Sequence, residues 1–213
     1  MMLQRRQLYG AQKDPVWSGL AAMWEFNGEA YDAISKITLT QIGTVSYVPG
    51  KIKQCAHFNG GYFMHPDAFD LPTYSISFWI NISSTSGSIA GLINTTVGTV
   101  SYGLRLIDSK QLILRDVSHI WGMAYADLPG NVWIHFCIAA NPATYKIYVN
   151  YGNVSISGIP GTFVTKIPTY IGLDNYDGKR VYKGYLEQLA VWNRELSPDE
   201  VLRLYNQGNG LAY

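Results

Sequence analysis

Charge is scarce in this chain of 213 residues. Asp, Glu, Lys and Arg make up 15% of it, against roughly 25% in an average soluble protein. The charges present nearly cancel, leaving a formal net charge of +1. A nucleic-acid partner needs a dense Lys/Arg face to neutralise phosphates, and none is here. Disorder is excluded as well. It goes with few apolar residues and high net charge, whereas 47% of this chain is hydrophobic. Long apolar runs are also missing. The longest, around residues 132–140, is broken by His135 and falls short of the roughly 20 residues of a membrane-spanning helix. Cysteine is down to Cys55 and Cys137, which is no disulfide framework. Cys137, in the strand-like VWIHFCIAA, reads as a small buried hydrophobe, and spacing alone leaves a bridge to Cys55 open. An export signal is not expected, because no apolar stretch follows Arg5 and Arg6.

In place of charge the chain carries 16 Tyr and 21 Gly, with abundant Ser, Thr and Asn. Its dominant pattern has period two. In SISFWINIS, Ile76, Phe78, Ile80 and Ile82 alternate with Ser75, Ser77, Asn81 and Ser83, which predicts a half-buried strand. YKIYVNYG repeats the signal through Tyr145, Ile147, Val149 and Tyr151. SYGLRLIDSKQLILRDV reads as a hairpin turning at Asp108, Ser109 and Lys110. Further strand-like runs fall at 21–26, 36–43, 55–65, 131–139, 169–173 and 185–193. Gly, Pro, Asn and Asp punctuate them, and roughly a dozen short strands at such spacing predict an all-β sandwich or barrel. One helix is expected, in SPDEVLRLYNQG. Ser197 caps it, Pro198 starts it, and Glu200 completes a capping box. Val201, Leu204 and Tyr205 form its inward stripe, and Gly208 ends it. The expected division is an arm, 1–17, that docks on a neighbouring subunit, and a single domain, 18–213. Deleting the arm is expected to leave the domain folded.

The order of these pieces resembles a known superfamily. GLAAMWEFNGEAYD, GKIKQCAHFNGGYF, YSISFWI, NVWIHFCIA, YKIYVNYG, YIG and YKGYLEQLAVWNRELSPDEVLRLYNQG follow one another as in the LamG-like, concanavalin A-like lectin/glucanase jelly rolls related to pentraxins. The resemblance covers nearly the whole chain after Trp17. It implies two antiparallel sheets of about six or seven strands, with a short C-terminal helix packed on the side. It also implies that Trp24, Trp79, Trp133 and Trp192 belong to the core, and that His135 bonds between strands. Cys137 matches a pentraxin cysteine, but SISFWI lacks the partner for a pentraxin-type bridge.

Three chemistries are weighed against this background. Glycosidases of the superfamily set two or three carboxylates alternately on one strand, so that acid and nucleophile flank one bond. Glu187, the nearest strand carboxylate, has no partner two or four residues on, and no enzyme is expected. Pentraxins bind Ca²⁺ in the loop after their Leu-Gly strand. The matching loop, IGLDNYDGKR, offers Asp174, Asn175 and Asp177 as hard oxygen ligands, although the same string is ordinary turn chemistry. Metal-free glycan binding needs an exposed aromatic ring with polar groups beside it. Tyr102, Arg105, Arg115, His119, Trp121 and Tyr176 lie in or near loops and hairpins placed to converge. The expected function is therefore a non-catalytic glycan-binding or adhesion module, the alternative being a structural docking subunit without glycan binding. Stand-alone LamG-like chains with a short basic arm and an ending like LYNQGNGLAY resemble tailed-bacteriophage proteins. That resemblance implies a virion-surface or extracellular setting. The partners it implies are cell-surface or mucosal glycans, other virion proteins reached through the arm, and further copies of the chain, with no nucleic acid or membrane.

Overall fold

The computed structural model describes residues 14–66, 71–83, 90–97, 100–107, 111–115, 120–121, 128–150, 152–154, 169–174 and 180–213. In chain order the strands are β1 (Leu20–Trp24), β2 (Thr40–Ile42), β3 (Val45–Pro49), β4 (Gln54–Asn59), β5 (Tyr62–His65), β6 (Tyr74–Ile82), β7 (Ala90–Val97), β8 (Val100–Ile107) and β9 (Gln111–Arg115). They continue as β10 (Ile120–Trp121), β11 (Trp133–Ala140), β12 (Tyr145–Val149), β13 (Gly152–Val154), β14 (Thr169–Ile171), β15 (Leu173–Asp174), β16 (Arg180–Val181) and β17 (Lys183–Trp192). A 3-10 turn, Pro15–Trp17, precedes them and helix α1, Pro198–Tyr205, follows. One antiparallel sheet runs β13-β12-β11-β6-β17-β4-β3, with β1 pairing the far half of β17; the other runs β10-β9-β8-β7-β14-β5-β2. The short pair β15–β16 forms a two-stranded ladder of its own.

Alternation builds the core. Ile76, Phe78, Ile80 and Ile82 of β6 point inward beside Ile134, Phe136 and Ile138 of β11. Phe63, Leu106 and Ile171 meet them from the opposite sheet. Phe58 and Phe63 pack edge to face at 5.6 Å. Gly172 is required beside them: its φ is +90°, and a Cβ there would stand 2.6 Å from the Phe58 ring.

Three features differ from the expected alternation. β6 is buried on both faces, with Ser75, Ser77 and Trp79 at most 5% exposed, because its outer face is covered as well. β17 changes parity midway: Leu186 faces the core, and then Leu189 and Val191 do. A bulge at Gln188, where φ is +53°, shifts the register between Glu187 and Ala190. The run at 36–43 pairs as a strand only at Thr40–Ile42.

The helix forms as its caps dictate. Ser197 accepts from the Glu200 amide while the Glu200 carboxylate accepts from the Ser197 amide. Arg194 grips that carboxylate through both terminal nitrogens, at 2.6 and 2.9 Å. Asn206, in the left-handed conformation, caps the C-terminus, two residues before the expected Gly208. Val201 and Leu204 then cover Met23, Cys137, Ala139, Ala190 and Trp192 on the outer sheet face.

Residues 14–17 pack on the sandwich. Val16 is 1% and Trp17 7% exposed. Trp17 stacks on Trp192 at 5.9 Å, and Tyr213 meets it edge-on at 5.3 Å. Trp192 Nε1 donates to the Val16 carbonyl, and Arg203 binds the Asp14 carboxylate. Both cysteines are free and buried. They sit on β4 and β11, with β17 and β6 between. Three strand spacings, about 14 Å, exclude a bridge.

Candidate functional site

One ladder row of the β11-β6-β17-β4 region joins residues far apart in the chain. His57 lies opposite Tyr185, Tyr185 opposite Asn81, and Asn81 opposite Trp133. Residues directly opposite one another share a face. Here it is the outer face, since the neighbours Phe58, Leu186, Ile80 and Ile134 are in the core. The row emerges beyond the cover of α1. Trp79, beneath Tyr205 at 6.0 Å and Lys51 Nζ at 5.7 Å, marks the boundary.

The rings form a strip. His57 and Tyr185 stack at 4.5 Å, 17° from parallel. Trp133 and Tyr185 approach to 6.3 Å at 51°, although their strands stand two spacings, about 10 Å, apart. They close over Asn81 from either side. Asn81 Oδ1 is buried and has no hydrogen-bond partner among the described residues. All four side chains are half-buried. Val48, Pro49 and Asn131 wall the same space, a solvent-open groove of about 540 Å³. That volume falls within the usual range of ligand pockets, roughly 300–1,000 Å³. A second hollow, between Glu25 and Tyr31, measures only about 80 Å³.

Glu187 shapes one wall. Its carboxylate accepts from the amides of Lys51, Ile52 and Lys53 at 2.5, 2.9 and 2.6 Å. That ties down the turn after Pro49. Burial raises the Glu187 carboxyl above its usual range, although the three amides pull the other way. Its oxygens are committed to the backbone. Ser77 Oγ and His135 Nε2 lie 2.8 Å apart across β6 and β11, the interstrand bond expected of His135. Burial lowers this imidazole to about 3, and its Nδ1 has no partner among the described residues. The pair is sealed under the helix, and no described residue serves it as the orienting acid of a nucleophile triad.

Of the ligand residues expected from sequence, those described lie on other strands. Arg105 stands opposite Ile113 and Arg115 opposite Gly103 in the β8–β9 pair. Tyr102 stands opposite Thr95 of β7, and Trp121 opposite Leu114 of β9. Asp174 stands opposite Arg180 in the β15–β16 pair. His119, Asn175, Tyr176 and Asp177 lie outside the described residues. Among the described residues, no three His, Cys, Asp or Glu gather as metal ligands.

Trp24, Trp79 and Trp192 are at most 2% exposed, as the core expectation had it. Trp133 is the exception. The signal was in the alternation: Trp133 has the parity opposite to Ile134, Phe136 and Ile138.

A family model described as Laminin_G_3, concanavalin A-like lectin/glucanases superfamily, matches residues 59–202. No curated protein sequence matches. Among solved structures, the chain is similar to domain 4 of AbnA, an extracellular arabinanase of Geobacillus stearothermophilus solved with arabinotriose. The TM-score is 0.73 at 19% identity, over 90% of this chain and 98% of that one. Trypanosoma rangeli sialidase gives 0.68 at 16% identity, over 91% of this chain but only 34% of its own. The binding domain of Paraclostridial Mosquitocidal Protein 1 gives 0.67 at 17% identity, over 91% and 53%. At such identities the likeness shows the fold alone.

Proposed function

The chain belongs to the concanavalin A-like lectin/glucanase superfamily, and from that premise we propose that it is a non-catalytic glycan-binding module. The observation that carries this reading is the strip of His57, Tyr185 and Trp133 in an open groove edged by amides. Sugars offer flat C–H faces that lie on aromatic rings, and hydroxyls that both donate to and accept from amides. Glycoside cleavage needs two carboxyls flanking the bond, and none of the described residues lining this groove is a carboxylate. The arabinanase domain solved with arabinotriose supports the reading at the level of fold.

Two finer parts belong to the proposal. One is the setting, a virion-surface accessory protein that adheres to cell-surface or mucosal glycans; its support is the resemblance of arm and C-terminal ending to tailed-phage proteins. The other is Ca²⁺ held by Asp174, Asn175 and Asp177. A broad glycan array, run once with Ca²⁺ and once with EDTA, tests the core of the reading. Binding in both supports a metal-free site. Binding lost in EDTA assigns recognition to the metal loop. Silence in both overturns the glycan reading in favour of a docking subunit whose ligand is a protein.

A further inference from the structure

We propose that the groove on the outer face of β4, β17, β6 and β11 takes an uncharged saccharide segment and needs no metal to hold it. This rests on the glycan-binding reading and deepens it to a ligand class.

The lining decides the class. Its described residues include no Lys, Arg, Asp or Glu. An acidic sugar would bring a carboxylate against aromatic faces, whose quadrupole is negative, with no Lys or Arg among the described lining residues to pair it. An uncharged sugar meets no such penalty. Its C–H groups, slightly positive, are the natural partners of those faces. Asn131, exposed at the rim, and Asn81, with its unpartnered Oδ1, complement hydroxyls, which both donate and accept. A hard cation would need several oxygen ligands, carboxylates foremost, and the described lining residues supply no carboxylate.

The two charged residues nearest along β17 do not alter this. Glu187 spends its oxygens on three backbone amides. Lys183 is exposed two residues before Tyr185, opposite Asn59, and lies outside the lining. The row from His57 to Trp133 spans three strand spacings, about 14 Å, which suits a short oligosaccharide better than a single sugar.

The test is titration calorimetry of the full chain with a neutral probe, arabinotriose or maltotriose, and an acidic one, sialyllactose, each in EDTA. The variants are Trp133→Ala, Trp133→Leu, Lys183→Ala and Arg105→Ala, with circular dichroism to confirm folding. Trp133→Leu keeps apolar bulk without a π face and serves if the alanine variant unfolds. The expected result is binding of a neutral probe, weakened about tenfold or more without the Trp133 ring and unchanged in Lys183→Ala and Arg105→Ala.

Neutral binding that ignores Trp133 but falls in Arg105→Ala overturns the groove while leaving the module reading intact. Acidic binding lost in Trp133→Leu overturns the neutral class alone. If the EDTA-treated protein binds neither probe but binds one once Ca²⁺ is restored, metal independence fails. No binding under any condition overturns this inference and the glycan reading together.

Discussion

His135 shows what a single buried side chain does to stability. Its ring is 1% exposed and bonded to Ser77, and burial lowers it from 6.5 to about 3. A lowered folded value means that the unfolded chain takes up the proton first. Its contribution is therefore full above 6.5 and is lost as pH falls towards 3. The slope is at most about 1.4 kcal/mol per pH unit. Denaturant melts between pH 6.5 and 4.5 should show His135→Gln losing stability less steeply than the parent chain. Identical slopes would mean that the ring titrates freely. Glu187 acts through geometry. Glu187→Gln sets an amide N–H₂ among three backbone donors, and should cost about 1–3 kcal/mol in a urea melt. The same change should weaken groove ligands by loosening the Pro49 wall.

At the scale of the element, the helix was legible in advance and the parity change within β17 was not. Ser197, Pro198 and Glu200 specify the helix start because capping is a local bargain between a side chain and amides three residues away. Ser197→Ala should cost about 1 kcal/mol. That corresponds to a melting point lower by roughly 2–4 °C in a chain of this size, readable by calorimetry. In LEQLAVW the core-facing residues are Leu186, Leu189 and Val191, a spacing that neither strand nor helix periodicity predicts. The bulge at Gln188 reconciles them. It is held from outside the strand, by the Glu25 carbonyl accepting from the Gln188 amide and by Gln188 Nε2 donating to the Leu211 carbonyl at 2.6 Å. A period-two reading sees only the strand's own residues.

At the scale of the molecule, the two ends of the described chain close on each other. Trp17→Ala should lower stability by about 3–5 kcal/mol, the usual cost of truncating a buried Trp, because it leaves Trp192 uncovered. A melting curve equal to that of the parent chain would show that the Trp17 packing contributes nothing. The same scale divides what was readable in one dimension from what was not. Alternation, turn residues and capping are local, so the sequence alone determined an all-β sandwich or barrel with one C-terminal helix. Only the tertiary structure decided that β6 is buried on both faces, that Cys55 and Cys137 stand too far apart to bond, and that His57, Asn81, Trp133 and Tyr185 form one row. Those facts depend on strand order and register, which bring together residues separated by up to 128 positions, from His57 to Tyr185. Hydrophobic patterning specifies which face of a strand is wet, but not which strand lies beside it.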